Sequence, residues 1–82
     1  MVFLAVSPSG LSEAILLACG APVWCGSDAI SEEAFGELQG RNVSRFVYPL
    51  AGQSAEVLAD AVATIREHHP NERIWVESVG EL

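Results

Sequence analysis

Apolar residues along this chain come in four short runs separated by stretches of mixed character. Val2–Val6 (VFLAV) is apolar at every position, the pattern of a strand covered on both faces, as in a parallel sheet. Pro22–Cys25 (PVWC) reads as a second strand, with Pro22 at its start, where a missing donor costs least. Val43–Tyr48 (VSRFVY) reads as a third, stopped by Pro49. Arg73–Val79 (RIWVESV) reads as a fourth, with Ile74 and Val76 on one face and Trp75 on the other.

The stretches between them carry helix signals. Ser7 is the expected cap of a first helix, with Pro8 at the first helical position; Ser9 and Ser12 are alternative caps. This helix takes in LSEAILLAC and stops at Gly20. Ser31 caps a second helix, with Glu32 and Glu33 in the first turn and an Ile30–Phe35 staple, and Gly40 closes it. The third has the clearest periodicity: Val57, Leu58, Ala61, Val62 and Ile65 form one apolar stripe, Ser54 is the cap and Pro70 marks the end.

The resulting order is β-α-β-α-β-α-β. Strands joined by helices predict an α/β three-layer sandwich, a single small domain over 1–82 with three helices and a four-stranded, mainly parallel sheet. The preferred strand order is 2-1-3-4, which centres the wholly apolar first strand and leaves the more polar fourth at an edge. One helix covers one face and two the other. The direction of the fourth strand is the least constrained.

Composition narrows the partners. Eleven acidic residues face four basic ones, all arginine, for a net charge of −7 on 82 residues. Such a body repels phosphate backbones and anionic bilayers, so neither nucleic acid nor membrane is expected as a partner. Half of the residues are hydrophobic, enough for a core without metal or disulfide staples. Cys19 and Cys25 are spaced C-x5-C, which is neither a redox pair nor zinc spacing, and both, in apolar surroundings, read as buried free thiols. The apolar start lacks a basic leader, and the uncharged stretch Ala14–Ser27 is broken by Gly20 and Pro22. A cytoplasmic setting is the expectation.

Ligands of open parallel sheets bind beyond the carboxyl ends of the strands. The turns expected there supply Ser7, Ser9, Gly10, Cys25, Ser27, Asp28, Gln53 and Ser54 as candidate ligand-binding residues. SPSGLS can cradle an anion at a helix start, but no phosphate-loop lysine exists and Asp28, Glu32 and Glu33 oppose an anion. Cys25 at a strand end is a candidate nucleophile, yet His68 and His69 fall at the opposite sheet edge. Adjacent on a helix, those histidines diverge by about 100° and do not converge on a metal. No catalytic residue, metal or cofactor is therefore expected.

These patterns point to a noncatalytic accessory module that binds another protein or itself. Trp24, Tyr48 and Trp75 are the candidate interface residues, because aromatic side chains anchor interfaces. The alternative is a domain binding a small anion or nucleotide, or a small enzyme, at the carboxyl-edge turns.

Overall fold

The computed structural model describes residues 1–38 and 41–77. Its elements are β1 (Val2–Ala5), α1 (Pro8–Ala18), β2 (Val23–Cys25), α2 (Glu32–Gly36), β3 (Val43–Arg45), α3 (Ala55–His68) and β4 (Ile74–Val76). All neighbouring strands run parallel: Phe3 pairs with Val23, Val23 with Val43, and Val2 with Ile74. The α/β class, the parallel sheet and the three helices are as the sequence predicts, and β4 runs with the others. Among the described residues no helix is long and apolar enough to cross a membrane.

The strand order is 3-2-1-4. It shares with the expected 2-1-3-4 the β1–β2 pair, an interior β1 and an edge position for β4. It differs in placing β3 outside β2, with β4 filling the place beside β1. The cause is where β3 ends. The apolar residues Phe46–Tyr48 made the third run look like an interior strand, but the paired ladder stops at Arg45. Val43, Ser44 and Arg45 alone are polar enough for an edge. Phe46 drops into the core, whereas Val47 is 90% exposed.

Two steps in one direction, β1 to β2 to β3, are followed by one long step back to β4. Crossovers of a single hand then put α1 and α2 on one face and α3 on the other. The side chains agree. Val2, Leu4, Val6, Phe46 and Leu50 pack with Ala61 and Ile65 of α3. Ala5, Val23, Cys25 and Ala29 pack with Leu11 and Ala14 of α1. The sheet separates these two clusters, as strand alternation requires.

Each helix starts where its serine places it. The hydroxyls of Ser7, Ser31 and Ser54 accept from the amides of Gly10, Ala34 and Val57. Pro8 occupies the first turn of α1, and Cys19 ends that helix in a left-handed conformation at φ 50°; as the cap beyond the last helical turn it is exposed, not buried as its apolar neighbours suggest. The second helix is only five residues long, shorter than its sequence suggests. Gly36 is a poor helix former, and Glu33 and Glu37 stand one turn apart with like charge. Gly40, the expected stop, lies outside the described residues, as do the last positions of the expected fourth strand.

Candidate functional site

The turns after β1, β2 and β3 gather on one rim, together with the end of β4. Their polar groups are engaged with one another. Asp28 accepts from the amides of Leu50 and Ala51, both at 3.1 Å, and so pins the β3–α3 loop to the β2 turn. Gly26 lies beneath this junction, where a Cβ would stand 2.8 Å from the Asp28 carboxylate and 2.9 Å from the Leu50 amide nitrogen. Ser27 donates its amide to the Tyr48 carbonyl. Arg45 donates to the carbonyls of Ile30 and Ser27 at 2.8 and 3.0 Å, with Glu32 at 3.8 Å.

The cradle proposed for an anion at Ser7–Gly10 holds a carboxylate of the chain itself. Glu77, the residue after β4, accepts from the amides of Val6 and Ser7 at 2.7 and 2.9 Å. The Ser7 hydroxyl donates to its other oxygen at 2.5 Å. Gly10 leaves room for this arrangement: a Cβ on it would collide with the carboxylate and force Glu77 to move. Ser9 lies beside Ser7, their hydroxyls 3.3 Å apart. Glu77 thus joins the last strand to the first helix, in the position that the alternative reading offered to an external anion.

Glu77 was missed at the sequence level, although the rule that collects strand ends on one rim applies to the fourth strand as well. Arg45 was also missed. It is charged, it follows Val43 and Ser44 in an edge strand, and its side chain is only 14% exposed, which local pattern does not reveal.

Cys25 is fully buried and faces the α1 side of the sheet. Burial pushes its pKa from the ordinary 9.0 up to about 11; Arg45 pulls it down and Asp28 pushes it up, both by less. The thiol is therefore protonated at neutral pH, the wrong state for a nucleophile. His68 and His69 stack near Trp24, with ring centroids 5.3 and 6.2 Å away. Trp24 belongs to the α3 face, so the sheet stands between the imidazoles and the sulfur.

The three aromatic candidates separate. Trp24 and Tyr48 both stack on Phe46, at 5.2 and 5.1 Å, and are partly buried against the α3-side core. Burial, and to a smaller extent Asp60, raises the Tyr48 pKa. Tyr48 also borders a hollow of about 360 Å³ with Pro49, Gln53, Val57 and Asp60. A second hollow of about 210 Å³ lies on the rim between Val6, Leu50, Leu58 and Glu77.

Trp75 differs in being 50% exposed, next to Val76 at 44%. It sits on the α1 side, opposite Phe3 in the ladder. On that side α1 lies over β1 and β2, and β4 extends beyond its cover. The result is a groove of about 210 Å³ between α1 and β4, lined by Phe3, Ala14, Leu17, Trp75 and Val76, with Glu13 and Glu77 among its polar residues. Leu17, on its rim, is 72% exposed.

No protein-family model matches this chain, and neither a search of curated proteins nor one of solved structures returns a significant match.

Proposed function

We propose that this chain is a noncatalytic accessory module that acts by binding protein, either another chain or a second copy, and that β4 is its working edge. The observation that carries the reading is the half-exposed Trp75 on an edge strand that, among the described residues, no helix covers on its own side. Indole rings in such positions supply large contact area at small conformational cost. The carboxyl rim supports the reading from the other side, because Ser7, Ser27, Asp28 and Ser54 are already engaged in capping and tying loops. The free thiols of Cys19 and Cys25 suit a reducing compartment, and we assign the module to the cytoplasm on that ground.

The test compares the chain with its Trp75→Ala variant on two readouts. Immobilised on a support and exposed to the same extract, the chain retains a protein that the variant does not. Thermal melting of the free chain moves by less than about 1 °C with millimolar phosphate or nucleotide. A shift of several degrees with either compound, together with no Trp75-dependent protein, overturns the reading in favour of a small-ligand site at the rim.

A further inference from the structure

We infer that the occupant of this edge is a second copy of the chain, paired β4 to β4 and antiparallel about a two-fold axis at Trp75, an inference that rests on the protein-binding reading above. The backbone determines which groups are offered. The Val2 amide donates to the Arg73 carbonyl, and the Glu77 amide donates to the Leu4 carbonyl, both at 2.8 Å. Residues 73, 75 and 77 therefore turn their peptide groups towards β1. Ile74 and Val76 turn theirs to the open side.

A symmetric antiparallel pair must match these outward residues with one another. Three centres achieve this: Ile74, Trp75 and Val76. Centred on Ile74, the pair sets Arg73 opposite an indole; centred on Val76, it sets Glu77 opposite an indole. Centred on Trp75, it sets Ile74 opposite the partner's Val76, where the two exchange both backbone hydrogen bonds, and the symmetry repeats the exchange. The two Trp75 residues then face each other as a non-hydrogen-bonded pair, the closer type, with Cα atoms about 4.5 Å apart. Arg73 falls opposite the partner's Glu77, on the same face as the indoles.

Charge thus selects the central register, since opposite charges across a ladder stabilise it and like charges weaken it. The Glu77 carboxylate has capacity for this second role. Its two oxygens offer about four acceptor sites, and three are used within the chain. Glu13 and Glu77 line the groove beside this edge, and in the central register the partner's Arg73 answers Glu77. Glu72 is paired with the terminal amine of Met1, whereas Glu32, Glu33 and Glu37 surround α2, on the side of β3. Pairing two copies through β3 would bring those glutamates together.

The shared ladder is short, so the dimer belongs to the small and weak class of interfaces, with a dissociation constant of roughly tens to hundreds of micromolar. Sedimentation velocity of the wild-type chain from about 10 µM to about 1 mM should show a monomer passing into a dimer. Arg73→Glu, at an exposed position, should fold normally and weaken association about tenfold. In a Cys19→Ser background, Trp75→Cys should oxidise to a disulfide-linked dimer, because its Cα separation lies within disulfide reach. Ile74→Cys and Val76→Cys, each displaced from its own counterpart by two residues, should not.

Association that Arg73→Glu leaves unchanged, or a dimer that Trp75→Cys does not cross-link, overturns the pairing. So does a chain that stays monomeric to 1 mM. If that monomer still captures a different protein through Trp75, the broader reading survives while the second copy is excluded; if it captures none, both fail.

Discussion

The contact between Glu77 and Gly10 makes a prediction whose sign depends on background. Glu77→Ala removes the acceptor for two backbone amides and one hydroxyl. Hydrogen bonds to a charged group contribute roughly 1.5–3 kcal/mol each, but water can replace part of this at a half-buried site, so the loss should be about 2–4 kcal/mol. That is a large share of the roughly 4–12 kcal/mol expected for a chain of this size. Gly10→Ala ordinarily stabilises a helix by about 0.5–1 kcal/mol. Here the added methyl group occupies the space of the carboxylate. In the wild-type chain it must expel Glu77 and so should destabilise by about 1–3 kcal/mol. In the Glu77→Ala background the three nearest obstructing atoms are gone, and the ordinary gain should return. Urea unfolding of the four proteins, followed by circular dichroism, measures the cycle; each kcal/mol also moves the melting temperature by about 4–8 °C. If Gly10→Ala has the same effect in both backgrounds to within about 0.5 kcal/mol, the two residues are not coupled and the reasoning fails.

Other consequences follow from the rim and from the buried thiol. Asp28→Ala should destabilise the chain by about 1–2 kcal/mol by freeing the amides of Leu50 and Ala51, and amide exchange should rise at those two residues first. Arg45→Lys should recover only part of the loss seen in Arg45→Ala in urea unfolding, since one ammonium does not reproduce a fork spanning the Ile30 and Ser27 carbonyls. A thiol reagent near neutral pH should modify the exposed Cys19 at once and Cys25 only as the chain unfolds; rapid double modification counts against the buried assignment. The pH dependence has a definite sign. The unfolded thiol ionises near 9.0 and the folded one near 11. Stability should therefore be unaffected by this group below pH 9 and fall through pH 9–11 by up to roughly 2–3 kcal/mol. The raised Tyr48 hydroxyl acts in the same direction at higher pH. Melting temperatures of wild type and Cys25→Ala across this range isolate the cysteine contribution.

Much of this architecture is legible residue by residue. Three serines cap the helices they precede, the unbroken apolar run of β1 lies in the interior, and the α3 stripe faces the core through Ala61 and Ile65. These features are local, and local chemistry decides them. Strand order is less accessible because it depends on where pairing stops. VSRFVY reads as one run, yet the regular register with β2 ends at Arg45, and beyond it single backbone bonds from Phe46 to Cys25 and from Ser27 to Tyr48 carry the chain into the turn. The rim was located correctly as a meeting place of turns, but the use of its groups was not. Whether Ser7 caps a helix, binds an external anion or holds Glu77 depends on a residue 70 positions away, and no periodic pattern reports such a meeting. The aromatic residues teach the same lesson: Trp24 and Trp75 look alike in the sequence, and the overhang of β4 beyond α1 distinguishes them.

The late position of β4 along the chain also bears on the order of assembly. Phe3, Val23 and Val43 pair in succession at intervals of 20 residues (23 − 3 and 43 − 23), whereas Val2 meets Ile74 across 72 (74 − 2). The entropy of closing a loop grows as (3/2)RT ln n, so the last closure costs about 1 kcal/mol more than either of the first two if it forms from an open chain. Three strands can condense early, and the fourth completes the sheet afterwards. Substitutions at Glu77 or Trp75 should then accelerate unfolding and leave the refolding rate nearly constant.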